Sequence, residues 1–241
     1  MIRWYDHWFK GIDTGMMEEH PIKLWIKGDN TWRHENEWPL KRTKWTKFYL
    51  RSWERLSEEP ETFYHEPDVF VQMPPTMTDK IQSLKYLTAP FSQDVEVTGP
   101  MALYLYAEID QRDTNWIITI KDVNPSNFET ELTRGWLKAS HRAVDESKSK
   151  PWQPYHPHLK PEPVTPGKIY EYPIEIRPTS NVFKKGHRIM LEIASMDLPS
   201  YHRTQVTEGP PYHVCSSKTT QHKIYRDEGH LSYMLLPIIP R

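Results

Sequence analysis

The chain has 241 residues, with 31 Lys and Arg against 32 Asp and Glu, a formal net charge of −1 and one cysteine. Balanced, interspersed charge excludes an electrostatic footprint for nucleic acid. The lone Cys215 excludes an internal disulfide and fits a reducing, cytoplasmic setting, and no apolar run reaches the roughly 18 residues of a membrane span.

Ten Trp, 13 Tyr and 7 Phe argue against disorder. Together with 22 prolines and only 9 glycines they point to short strands joined by stiff loops. Met1 to Asp6 lack the basic head and apolar run of a signal peptide, so none is expected. Residues 1 to 12 are predicted helical, because Trp4, Trp8 and Ile12 recur at spacing four with Tyr5 and Phe9 on the adjoining stripe. Gly11 and Gly15 end that helix. Ile22 to Lys27 is predicted as a strand closed by a Gly28-Asp29-Asn30 turn, and Lys44 to Arg51 as another. Asp68 to Thr78 is expected to be a proline-broken loop.

Val95 to Val97, Met101 to Ile109, Trp116 to Asp122 and Leu132 to His141 are four strand-like runs, the first two separated by a turn at Thr98-Gly99-Pro100. Residues 145 to 167 are proline-rich and are expected to form a long loop. Lys168 to Arg177, His187 to Ser195, Gln221 to Tyr225 and Leu231 to Leu236 complete the set. In the run from Ile189, Leu191 and Ile193 should share one face, with Gly186 at positive φ in the turn before it. Asp113 and Asp122 read as turn and ladder-end hydrogen-bonders. Many short strands with irregular connections predict an all-β fold, a two-sheet sandwich of the jelly-roll kind.

Little in the sequence carries chemistry. A hydrolase of the α/β type needs a Gly-x-Ser-x-Gly elbow. The only glycines four apart are Gly11 and Gly15, and Asp13 stands between them, so no catalytic residue is assigned. His34-Glu35 begins like a zinc-protease motif, but Trp38 occupies the second histidine's place and the segment reads as a polar loop. His156-Pro157-His158 lies in the proline-rich loop without a third ligand close in sequence, and reads as a solvated loop. No metal or cofactor is expected. The stretch Lys41 to Tyr49 mixes bases with aromatics, yet Glu35, Glu37, Glu54, Glu58 and Glu59 flank it, and a strand with one wet face explains it better than a single-strand binder. Cys215 would be a nucleophile only beside an ordered histidine such as His213 or His222; an incidental thiol is the simpler reading.

Several motifs in order resemble one family. Arg3-Trp4-Tyr5-Asp6-His7-Trp8-Phe9-Lys10-Gly11 resembles the helix that closes the catalytic domain of cocaine-esterase and X-Pro dipeptidyl-peptidase type serine hydrolases. Ile22 to Gly28, Trp32-Arg33 and Glu37-Trp38-Pro39 are similar to that family's first strand and loop. Val95 to Pro100, Arg112 to Trp116, Lys121 to Pro125, Thr179 to Phe183, Gly186 to Ile189 and Leu236 to Arg241 follow its pattern to the end. Asn115 replaces the usual Asp, Ser126-Asn127 replaces the usual Asp-Gly, and Ser147 to Lys160 has no counterpart.

The resemblance implies an architecture. Residues 1–17 would be the terminal helix and linker of an absent α/β-hydrolase domain, and 18–241 a jelly-roll, galactose-binding-domain-like β-sandwich. The catalytic Ser, Asp and His would lie upstream of Met1, on the same or a separate chain, so activity of this chain alone is left open. The strand Leu103 to Tyr106 would supply apolar wall beside the active site, with Leu105 and Tyr106 as the candidates; core packing is the alternative for both. Trp4, Tyr5, Trp8, Phe9 and Ile12 would form a docking surface for the hydrolase domain or for a second copy in a homo-oligomer. A free-standing jelly-roll module binding carbohydrate through its aromatics is the alternative function.

Overall fold

The computed structural model describes residues 1–63, 66–74, 76–197 and 218–241. Helix α1 (Ile2–Lys10) leads into strands β1 (Ile22–Ile26), β2 (Thr31–Glu35), β3 (Lys44–Arg51), β4 (Arg55–Ser57), β5 (Asp68–Gln72), β6 (Ser83–Thr88) and β7 (Val95–Ile109). Then come β8 (Asn115–Val123), β9 (Glu129–Lys138), β10 (Tyr170–Phe183), β11 (Arg188–Ala194), β12 (Thr220–Tyr225) and β13 (Tyr233–Ile239). Helix α1 ends at Gly11 in the left-handed region (φ 67), where the Ile12 N–H returns to the Asp6 carbonyl at 3.1 Å. The Asp6–Lys10 pair at 2.7 Å links successive turns of it.

The larger sheet runs in the order β10-β9-β8-β11-β6-β4-β3-β13-β7-β12-β5, and a further pairing of β10 with β7 closes it into a barrel-like sandwich. All its pairings are antiparallel except β4 with β6. Closure leaves few unpaired edges, and the alternate residues of each strand point inward. Leu103, Leu105, Ala107, Ile118, Ile174, Ile189, Leu191 and Ile193 all meet in one buried core. Trp116 lies at its heart with no exposed surface, its ring 5.3 Å from that of Tyr172 and 5.4 Å from that of His222.

Several boundaries differ from those predicted. Thr98-Gly99-Pro100 is no turn: β7 runs straight through it as a 15-residue strand. The ladder does shift there, between Ile176 and Thr179 on β10 and between Leu235 and Ile238 on β13. Pro100, Pro178 and Pro237 fall at this level on three adjacent strands and cannot donate to the ladder, so the strands bulge instead of ending. Asp68 to Gln72 is strand β5 rather than loop, because its backbone pairs with β12. The His34-Glu35 segment is likewise strand, paired with β1. Gly186 has the expected positive φ of 85. Asp113 accepts the Ser140 N–H at 2.9 Å and the Ser140 hydroxyl at 2.8 Å, while Asp122 sits 2.8 Å from His187 Nδ1.

The β1–β2 hairpin meets the sandwich backbone at a short seam, beside ion pairs from Arg33 to Glu96 and from Asp29 to Lys184. Lys27 N–H donates to Ser180 O at 3.1 Å and Val182 N–H to Lys27 O at 2.9 Å. This close approach needs Gly28, whose φ is 83 and where a Cβ would lie 2.3 Å from the Val182 carbonyl oxygen. Gly28→Ala is expected to cost about 2 kcal/mol or more, from left-handed strain and the clash together. Thermal unfolding measures it; an unchanged midpoint would show that the hairpin adds nothing to cooperative stability.

Candidate functional site

Strand β7 alternates along its second half. Leu103, Leu105 and Ala107 have no exposed surface, whereas Tyr104, Tyr106 and Glu108 face outward and are half-buried. The two wall candidates therefore part company. Leu105 is a core residue packed by its own domain, and Tyr106 belongs to the outer face.

That outer face is a cluster of tyrosines built by register. Tyr104 stands opposite Tyr233, and Tyr233 opposite Tyr49. The Tyr104 and Tyr233 rings stack at 4.9 Å, Tyr49 lies 5.7 Å from Tyr233, and Lys47 Nζ sits 4.2 Å over the Tyr233 ring. One step along, Tyr106 pairs with Tyr225 on β12 and Glu171 on β10, and His230 lies 5.7 Å from the first ring and 5.4 Å from the second. The proline-rich loop straps this face: Tyr104 Oη donates to Pro151 O at 3.0 Å, and Trp152 stacks on Trp45 at 4.4 Å.

The surroundings of Tyr104, Tyr106 and Tyr233 favour the neutral phenol. Burial, then Glu171, by its charge at Tyr104 and by a hydrogen bond ahead of its charge at Tyr106, raises both. Burial, then the Tyr104 phenol, pushes Tyr233 far above the ordinary phenol range. Burial would raise Glu108 too, but hydrogen bonds from Lys223 at 2.8 Å and Tyr225 at 2.7 Å outweigh it and hold its carboxyl low. The face thus offers neutral donors and apolar ring surface. These are the properties of a contact surface or pocket wall, with no nucleophile poised among them.

Helix α1 supplies the second surface. Trp4, Tyr5, Trp8, Phe9 and Ile12 are all exposed, and no residue of α1 is buried. The Trp4 ring lies 5.4 Å from Tyr5 and 6.4 Å from Trp8, and Tyr5 stacks with Phe9 at 5.7 Å. The helix is tied to the following segment through Arg3, which bonds Thr14 O at 2.7 Å and pairs with Glu19 at 2.8 Å.

The other residues singled out in the sequence have structural partners. Glu35 pairs with Arg33 at 2.6 Å and with Arg42, whose hydrogen bond is the main cause of its lowered pKa. Arg33 also makes a bidentate pair with Glu96, at 2.9 and 2.6 Å. His34 stacks on His20 at 5.6 Å. His156 spans two carbonyl oxygens, Ala143 at 3.0 Å and Pro173 at 2.7 Å. His158 lies 5.8 Å from it, and the fold adds His141 at 5.3 Å from His158, a neighbour not visible in sequence. Among the described residues no three His, Cys, Asp or Glu side chains converge as a metal ion requires. His222 is fully buried in the core. Cys215 and His213 lie outside the described residues.

Sequence reasoning named Tyr106 but missed Tyr49, Tyr104, Tyr225, Tyr233 and His230. The signal was the outward parity of Tyr104, Tyr106, Tyr225 and Tyr233 on their strands, which becomes a cluster only once strand order is known.

The fold is an all-β, barrel-like sandwich with an exposed aromatic helix and a half-buried tyrosine face. Its family follows from comparison: the chain belongs to the X-Pro dipeptidyl-peptidase C-terminal non-catalytic domain family, whose model matches residues 14–235. It is 26% identical over 270 residues to the cocaine esterase of Rhodococcus sp. (strain MB1 Bresler), covering 98% of this chain and 45% of that protein. The solved CocE/NonD family hydrolase from Staphylococcus aureus shares the fold, with a TM-score of 0.80 at 20% identity over 98% of this chain and 44% of that one. The aminopeptidase from the marine sediment archaeon Thaumarchaeota archaeon does so at a TM-score of 0.75 and 18% identity, over 99% of this chain and 43% of that one. The chain thus spans less than half the length of the relatives it matches.

Proposed function

We propose that this chain serves as the non-catalytic partner of an α/β-hydrolase catalytic domain that cleaves esters or X-Pro peptides by serine acyl transfer. It docks through the α1 stripe and lends the Tyr106 side of its tyrosine face to the substrate site, with Leu105 as support beneath. The carrying observation is α1 itself. It lies before the 14–235 match to the C-terminal domain, yet the alignment with cocaine esterase takes in 98% of the chain, too much to leave α1 out. An aligned stretch that begins ahead of the C-terminal family match supports reading α1 as shaped to pack on the other part of such a protein.

Energetics support the same reading. Each large aromatic left wet forgoes roughly 1.5–3 kcal/mol of burial, and an isolated helix this short is marginal in water. The strand ring, with its sheet-switching order, is read as a jelly roll of the galactose-binding-like kind. No helix among the described residues is long and apolar enough to cross a membrane, and the single cysteine supports a cytoplasmic assignment.

The test compares the full chain with a variant starting at Glu18, by light scattering and by capture of an α/β-hydrolase domain expressed separately. The full chain is expected to capture the domain, or to self-associate without it, and the variant to do neither. Two clean monomers of equal thermal stability, with no capture by either, would sink the docking role.

A further inference from the structure

We propose that the cavity between the β3–β4 turn and the adjoining ends of β6 and β11 binds an anion carried on a flat apolar ring, an aryl carboxylate or aryl phosphate. The cavity encloses about 470 Å³ and is lined by Arg51, Arg55 and Arg188 against a single carboxylate, Glu54. It adjoins the Tyr49 edge of the tyrosine face, since Tyr49 pairs with Ser57 of the cavity lining, and it does not depend on a catalytic domain.

Its guanidiniums are under-used. Arg188 makes no side-chain hydrogen bond or ion pair among the described residues. Arg55 uses only Nε, toward Ser52 O at 3.2 Å. Arg51 reaches Glu61 at 3.4 Å and the exposed Glu59 at 3.9 Å, while its Nε is buried without a partner. Glu61 is not among the cavity lining: it offsets Arg51 through Oε1 at 3.4 Å, while its Oε2 is held by the Ser52 N–H at 3.2 Å and the Ser52 hydroxyl at 2.9 Å. Planar guanidiniums with free N–H groups match carboxylate and phosphate oxygens, which accept two bonds at once.

The remaining lining specifies the rest of the ligand. A bare phosphate would leave most of a cavity this size empty, and the volume suits a small organic molecule. Leu56, Leu87, Ala89 and Pro90 give it an apolar side. Trp53 stands at the turn with 85% of its surface exposed. It and Glu54 both hold left-handed backbone, φ 66 and 54, which bulky side chains rarely adopt. The turn thereby presents an indole face beside three cations, which is where a ring attached to an anion would stack.

Calorimetric titration of the full chain with phenyl phosphate, benzoate, inorganic phosphate and benzyl alcohol tests this. At least one aryl anion is expected to bind, inorganic phosphate about tenfold more weakly, and benzyl alcohol not at all. The ratio of phenyl phosphate to benzoate affinity separates the two anion sources. Arg188→Gln should weaken the aryl anion about tenfold or more, with Arg188→Lys in between. Trp53→Ala should bring the aryl anion down to inorganic phosphate. If Arg188→Gln does not fold, Trp53→Ala and Arg55→Gln on the exposed turn carry the test. Absence of binding at millimolar concentration, or equal affinity in the wild type and these variants, would overturn the proposal.

Discussion

Trp116→Ala is expected to destabilise the domain by about 3–5 kcal/mol, the range for emptying a large aromatic site in a packed core. Trp116 has no exposed surface and sits on β8, between β11 and β9, where the two layers of the sandwich meet. Its neighbours Tyr172 and His222 are fixed on two other strands, β10 and β12. Neither can swing into the void without leaving its own ladder, so the cavity should stay open and retain its full cost. Trp116→Phe refills most of the volume and should lose less than half as much. Urea and thermal unfolding, both followed by near-ultraviolet circular dichroism, provide the free energy and the thermal midpoint. For a domain of this length the alanine variant's midpoint should drop by roughly 10 °C. A loss under about 1 kcal/mol would mean that the layers slide together, and that Trp116 fills space without setting the distance between them.

What the sequence could show follows the same physics. Apolar, β-branched strands such as β8 and β11, largely buried on both faces, announce themselves: Ile189, Leu191 and Ile193 share the core face as their spacing requires. Helix α1 was legible because its aromatics recur at helical spacing. Strand β6 is absent from the predicted set although Leu84, Tyr86 and Thr88 alternate inward; the other missed strands have weak local signals. Strand β4 has three residues, β2 buries little beyond Glu35, and β5 carries Asp68 and Gln72 at its ends beside a proline-rich stretch. Pairing partners far along the chain, β12 for β5 and β6 for β4, make them strands. The three prolines near the middle of β7 misled in the opposite sense. Pro100 reads as a turn alone, but Pro178 and Pro237 stand at the same level on the flanking strands and turn a break into a shared bulge. The tyrosine face gathers residues up to 184 positions apart, from Tyr49 to Tyr233, and the arginine-lined cavity up to 137, from Arg51 to Arg188. No local spacing encodes such a set; only the closed strand order does.

Lowering the pH should unfold this domain in two stages, and His222→Gln should remove the first. His222 is fully buried, stacked on Phe70 at 4.4 Å and bonded through Nε2 to the Thr114 hydroxyl at 2.8 Å. Burial disfavours the imidazolium and depresses its pKa from 6.5 to about 3. The unfolded chain therefore takes up this proton below pH 6.5 while the folded chain refuses it until about pH 3. Stability from this group is complete above pH 6.5 and is lost as pH falls toward 3, at up to about 1.4 kcal/mol per unit. Glu61 acts in a lower window. Burial would raise it, but the Ser52 N–H and hydroxyl, with Arg51, pull it from 4.5 down to about 2, so its contribution fades between those values. Between pH 6.5 and 5 the wild type should thus lose roughly 2 kcal/mol through His222 alone. Glutamine can still bond Thr114 but cannot titrate. The variant should be less stable at pH 7.5, yet its unfolding free energy should fall less steeply all the way down to about pH 3, and match the wild-type slope only below that, where Glu61 still titrates. Urea unfolding at half-unit pH steps gives both slopes. Parallel curves for the two proteins from pH 6.5 to 5 would show that the core admits the imidazolium, and that His222 is less sealed than its packing against Phe70 and Trp116 requires.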